Sequence, residues 1–271
     1  MIELIQNYQF IRYALIVLIL SSIVCGIIGV IIIQKRLTMM AGGIAHSAYG
    51  GVGLGYLLGV EPLITATIFA ALASVVISFV KEQTHINTDI IISMFWSFGM
   101  AMGIIFIGMM PGYPPDMNSY LFGNVLTVTN SDLMLIVSLT IVIVLFFMMF
   151  FDDYKAYLLD EEYSMIMGLN HKFLNTFLML LIALTVVVLI KVVGIMMVIA
   201  MLAIPAAIAN IYSRNLKNRM IISIISGIII SLTGMVISIS MDLPTGAVII
   251  VCGILIYIIN YLIGRIISTT E

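Results

Sequence analysis

His46 lies in the stretch MMAGGIAHSAYGG, residues 39 to 51, where an imidazole is set among small residues inside an otherwise apolar run. A neutral imidazole is the commonest side-chain ligand for zinc and related ions. An ionisable group within a membrane span is costly unless it is paired or wetted, and by default it marks a site or a pathway. His46 therefore either meets an ion during its passage or makes an interhelical hydrogen bond to a serine, a threonine or a backbone carbonyl. Gly43, His46, Gly50 and Gly53 follow one another at intervals of 3, 4 and 3, so they share one helix face. A strip nearly without side chains admits another helix closely, and Gly51 with Gly55 offers a second such pair. The imidazole is expected to point into protein rather than lipid.

Few other residues carry the means for chemistry. Asp242 precedes Leu243, Pro244, Thr245 and Gly246, where it either caps the next helix through the helix dipole or marks a point where ions enter. Glu61 and Asp116 fall in outer loops and read as solvated or in contact with a partner, and His85 and His171 in inner loops read as surface histidines. Met39, Met40, Met196 and Met197 suggest soft-metal affinity, but with 21 methionines spread along the apolar spans flexible packing is the simpler account. Cys25 and Cys252 lie in apolar spans without ligand spacing and read as small buried hydrophobes. No GxSxG or HExxH motif is found, which argues against the remote alternative of an intramembrane hydrolase. No G-x-x-x-x-G-K-[ST] loop occurs either, so any ATP coupling must come from a partner. No permanently bound cofactor is expected. A net charge of −2 and the lack of a basic arm or zinc knuckle leave no signal for nucleic acid.

The elements that must position His46 follow from composition. The 271 residues are 63% hydrophobic and 9% charged, with mean hydropathy +1.25, far above the ~45–50% apolar share of soluble domains. Runs such as LMLIVSLTIVIVLFFMMFF (133 to 151) are apolar on every side, which fits helices and not the alternation of a barrel strand. The chain reads as an all-α, polytopic membrane protein forming a single transmembrane domain over 1–271. Nine spans are expected, at 10–33, 39–58, 63–80, 90–110, 133–150, 173–190, 193–210, 220–240 and 245–266, the third, sixth and seventh being short. With the N-terminus outside, nine of the eleven Lys and Arg residues fall on the cytoplasmic side and only Arg12 and Lys191 outside, as positively charged inner loops require. Merging 173–210 into one span would put the basic cluster after 210 on the wrong side, so a break is expected near Lys191 and Gly194. The longest polar intervals are 111–124, outside, and 152–172, inside. Met1 is followed by Glu3 and no basic segment, so no cleavable signal peptide is expected.

The run LIVLILSSIVCGIIGVIIIQKRLTMMAGGIAHSAYGGVGLGYLLG (15 to 59) resembles the membrane permeases of ABC-type zinc, manganese and iron uptake systems. The resemblance continues in TDIIISMFWSFGMAMGIIFI (88 to 107), SYLFGNVLTVTNSDL (119 to 133), VGIMMVIAMLAIPAAIANIYS (193 to 213) and MDLPTGAVIIVCG (241 to 253). It implies a permease subunit for a divalent metal, zinc by preference with manganese or iron as alternatives, on a pathway including His46 and Asp242. In many members of that family an acid lies one turn before the histidine; here that position is Gly42, so the imidazole is kept and the carboxylate lost. A permease for a chelated metal such as a siderophore, haem or cobalamin is the alternative. The resemblance further implies a cytoplasmic ATP-binding-cassette ATPase, an extracellular metal-binding receptor and a second copy of the chain as partners in the cell membrane. The segment IPAAIANIYSRNLKNR (204 to 219) takes the place of the cytoplasmic coupling helix, with Pro205, Ala206, Ala209, Asn210 and Arg214 facing the ATPase. Pro205 suits a helix start, because its missing N–H is not needed there.

Overall fold

The computed structural model describes residues 8–83, 88–112, 121, 123, 125–159, 164, 166 and 168–269. Ten α-helices are present among them: α1 Gln9–Gln34, α2 Thr38–Leu58, α3 Pro62–Gln83, α4 Thr88–Gly108, α5 Asn130–Met149, α6 Phe151–Leu159, α7 His171–Val193, α8 Ile195–Tyr212, α9 Leu216–Met241 and α10 Thr245–Thr269. A short 3-10 turn covers Val125–Thr127, and no strand occurs among the described residues.

Eight of the helices are long and apolar enough to cross a membrane. The second expected span, α2, is the one not among these eight; it has 21 residues, about 30 Å at 1.5 Å per residue, but its glycines, His46 and two tyrosines dilute its apolarity. Tertiary contact makes up the difference, because α2 is buried along nearly its whole length between α3, α4, α7 and α8. The third and sixth spans are not short: α3 has 22 residues and α7 has 23.

Helix ends are set by local chemistry. The α2 helix stops at Gly59, whose left-handed backbone (φ 68°) lets Gly59 and Val60 donate back to the carbonyls of Tyr56 and Gly55, a glycine-terminated C-cap. The α5 helix opens with a reciprocal capping box between Thr129 and Asp132. The break expected near Lys191 falls at Gly194, with φ 85° and ψ 156°, a conformation essentially open only to glycine.

One boundary differs from expectation. Pro205 does not begin a helix; it sits inside α8, which runs unbroken from Ile195 to Tyr212. A proline within a membrane helix gives up one backbone bond that neighbouring groups can re-satisfy, and here buried packing on both sides of it holds the helix together. The next helix, α9, starts after a short turn at residues 213–215, with the Asn215 side chain accepting from the Lys217 amide.

The interval 152–172, expected as polar loop, contains α6. This short helix buries Tyr154 and Tyr157. The Tyr154 hydroxyl donates to the Leu174 carbonyl (3.1 Å), Tyr157 donates to Asn175 (3.2 Å), and Asn175 reaches Ser78 (3.1 Å). Burial raises the Tyr154 hydroxyl's pKa above its ordinary value.

The two ends of the bundle are tied by different groups. At one end the Lys191 ammonium lies 3.2 Å from Glu61 and 3.4 Å from Asp132, joining the α2–α3 turn, the start of α5 and the end of α7. At the other, Arg219 donates to the Ser213 carbonyl (2.7 Å) and to Gln34, and Lys35 lies 3.5 Å from the Tyr157 ring centre. The α8 helix runs from the end tied by Lys191 to the end tied by Arg219. Eighteen residues of α8 therefore cover the distance between the ends, about 27 Å, close to a hydrocarbon core of ~30 Å.

Candidate functional site

The glycine face of α2 meets α4 residue by residue. A Cβ on Gly43 would lie 2.6 Å from Ile92, on Gly50 2.8 Å from the Gly99 carbonyl, and on Gly53 2.6 Å from the Gly103 carbonyl. Between them the imidazole of His46 stacks on the indole of Trp96, with ring centres 4.0 Å apart and planes 14° apart. The α4 partners Ile92, Trp96, Gly99 and Gly103 follow at intervals of 4, 3 and 4, the complement of the α2 strip, and both series ascend together, so α2 and α4 run parallel. Gly51 and Gly55 serve the antiparallel neighbour α3, at 2.6 Å from Ala66 and 2.7 Å from Pro62.

This packing decides the setting of the imidazole. His46 is half-buried, its Nδ1 is buried, and no hydrogen bond from the ring is found among the described residues. The bond that would make it purely structural is made instead by Ser47, whose hydroxyl donates to the Phe95 carbonyl on α4 (3.2 Å). An unmet buried polar atom costs about 1–3 kcal/mol, which the stack, at about 0.5–1.5 kcal/mol, offsets only in part. A nitrogen with no protein partner keeps its capacity for an outside one. Gly42, where the acid was missing, also faces this ring pair: a Cβ there would lie 3.2 Å from Trp96 and 3.8 Å from Ile199.

No group of three His, Cys, Asp or Glu side chains able to hold a metal occurs among the described residues. Asp242 is not brought to His46. It is exposed at the C-terminus of α9, in a left-handed conformation (φ 53°), and neither α9 nor α10 shares substantial contact with α2. It closes α9 rather than opening α10, whose first turn is held by Ser238, which donates to the Leu243 carbonyl (2.6 Å) and lies within hydrogen-bond distance of the Thr245 hydroxyl (3.0 Å).

In the coupling segment, Pro205, Ala206 and Ala209 are buried inside the bundle, whereas Asn210 and Arg214 are exposed. The face left for a partner is therefore narrower than the five residues expected. Glu61 is not simply solvated, since it pairs with Lys191. Asp116 and His85 lie outside the described residues, and His171 is the first residue of α7. Cys25 is buried and Cys252 half-buried, both as free thiols. Two contributors escaped sequence reasoning. Trp96 could have been found from the matching glycine spacing on α4; Asp132, in a capping box, gave no sign of its ion pair.

The comparisons agree with this architecture. The chain is 36% identical over 265 residues to an uncharacterised membrane protein of Synechocystis sp., covering 98% of this chain and 94% of that protein. It is 32% identical over 261 residues to the manganese transport system membrane protein MntC of Listeria monocytogenes, covering 96% and 93%. Among solved structures, PsaBC from Streptococcus pneumoniae in complex with Fab matches with a TM-score of 0.89 and 30% identity, over 100% of this chain and 98% of that one. The pattern of the ABC 3 transport family matches residues 7–264, and with relatives this similar along nearly its whole length the chain belongs to that family of multi-pass membrane permeases.

Proposed function

We propose that this chain is the membrane subunit through which a divalent metal ion is imported, with manganese as its first cargo and His46 on the path. The observation that carries the reading is the buried, unpartnered Nδ1 of His46, held on a glycine-lined face by Trp96. A side chain fixed in orientation but unmet in hydrogen bonding can exchange one ligand of a passing ion. Manganese in place of the expected zinc follows from the names of relatives such as MntC. One imidazole and no acid at Gly42 make a weak site, so most of the ion's ligands are water, backbone or groups of a second copy. Weak binding suits a step the ion must leave.

In this reading the N-terminus is outside, the basic end containing Lys35, Arg214, Lys217 and Arg219 is cytoplasmic, and two copies form the path. A cytoplasmic ATP-binding-cassette ATPase drives it by docking at Asn210 and Arg214, and an extracellular receptor delivers the ion to the end tied by Lys191. The test is uptake of manganese, zinc and iron by cells lacking this chain, restored with the parent or with His46→Ala. Manganese uptake should fall on deletion, return with the parent, and stay at least ~10-fold lower with His46→Ala in protein inserted at parental levels. Full restoration by His46→Ala removes the site, and deletion without effect on any of the three metals removes the function.

A further inference from the structure

A groove of about 460 Å³ opens on the side of the bundle between α5 and α9. Its floor is the buried Ile27, Phe147 and Met220, and its walls are the exposed Met148 (73%) and Ile221 (46%). The α5 and α9 helices both pack on α1 but share no substantial contact with each other, so α1 forms the floor of a cleft between them. Lys217 stands at its basic end. From Lys217 to Ile224, the deepest α9 residue of the lining, is seven residues, about 10 Å along the axis, against ~15 Å for the hydrocarbon of one leaflet. A smaller cavity of about 140 Å³ adjoins on the first turn of α9 and is lined by Lys155, Arg214 and Arg219.

We infer that this groove holds an anionic phospholipid, one acyl chain lying over Ile27 and Phe147 and the phosphate at Lys217. The chemistry divides along the groove as a lipid's does, apolar at membrane depth and cationic at the edge. Arg219 is engaged with Ser213 and Gln34, whereas Lys217 makes no side-chain hydrogen bond or ion pair among the described residues. Among the described residues at this end, the carboxylates of Asp89, at the start of α4, and of Asp152 and Asp153, at the start of α6, are outnumbered by Lys35, Arg36, Lys155, Arg214, Lys217 and Arg219. A positive edge next to the bilayer attracts anionic headgroups. A second copy is disfavoured as the occupant, because a twofold interface sets the same patch against itself and would oppose Lys217 to its own image. The orientation proposed above enters only in assigning the lipid to the inner leaflet; binding itself does not depend on it.

The test is native mass spectrometry of the full chain in mild detergent, with phosphatidylglycerol or phosphatidylcholine of identical acyl chains. The parent should retain phosphatidylglycerol roughly five-fold better, the preference that one basic side chain near a membrane surface confers. Lys217→Gln should abolish that preference, Ile221→Trp should lower retention of both lipids by filling the groove, and Arg12→Gln, at the opposite end of α1, should change neither. Equal retention of the two lipids by the parent, or parental retention by both Lys217→Gln and Ile221→Trp, overturns the proposal. So does disulfide cross-linking of two chains through Met148→Cys, which would put a second copy over the groove.

Discussion

Gly99→Val tests the contact on which the site depends. A Cβ at Gly99 overlaps the Cα of Ser47 and lies 2.8 Å from the His46 carbonyl and 3.0 Å from the Ser47 amide nitrogen. These are backbone atoms, so no change of rotamer relieves the overlap and α4 must move away from α2. Overpacking of this kind costs about 1–3 kcal/mol. Separation also removes the Ser47 to Phe95 bond, about 0.5–1.5 kcal/mol, and the His46–Trp96 stack, about 0.5–1.5 kcal/mol. Valine's better helix propensity returns no more than ~0.5 kcal/mol. The net loss is about 2–5 kcal/mol, and at ~2–4 °C per kcal/mol the melting temperature should fall by roughly 4–20 °C. Trp96 is the one tryptophan of the chain, so its fluorescence reports this contact during thermal unfolding, and its emission should shift to the red as the indole leaves the ring of His46. Gly108→Val, where an added Cβ meets nothing within 4 Å, is the matched control. A Gly99→Val chain that keeps the parental melting temperature and emission refutes the close α2–α4 approach.

Gly42→Asp should fold, since the added Cβ lies 3.2 Å from the outer edge of the Trp96 ring and not from backbone; it should preserve uptake and, by adding a hard oxygen donor, raise manganese transport relative to zinc in competition assays. Lys191→Gln should destabilise the detergent-purified chain by about 1–3 kcal/mol, because the Asp132 side chain is only 12% exposed and loses its ion-pair partner. Glu61→Gln should cost no more than ~1 kcal/mol, as Glu61 is 55% exposed; equal losses in thermal melts would show that Asp132 is not the partner that counts. If the proposed docking at Asn210 and Arg214 holds, Arg214→Glu should abolish co-purification of a cytoplasmic ATPase while the permease stays folded; unchanged co-purification removes Arg214 from the docking face. Ala209→Glu should instead reduce the yield of folded protein, because Ala209 is 0% exposed and a lone buried charge is strongly destabilising; a folded Ala209→Glu chain that loses only the ATPase would return that residue to the docking face.

The sequence by itself determined what each segment is. Apolar runs of about 20 residues set eight of the spans, and the spacing of Gly43, His46, Gly50 and Gly53 set a face made for close contact. These are properties of one helix and its solvent, so they can be read locally. What that face touches was decided only by the tertiary structure. The stack of His46 on Trp96, fifty residues away, depends on the relative rotation of two helices, which the whole set of neighbouring contacts fixes jointly. The same holds for Ala209, whose place on α8 was visible while its burial was not, and for Lys191, which gathers Glu61 and Asp132 from turns 130 and 59 residues distant. Asp242 shows the converse. Its proline and glycine neighbours mark a chain break correctly, but only the packing of α9 and α10 away from α2 separates it from His46.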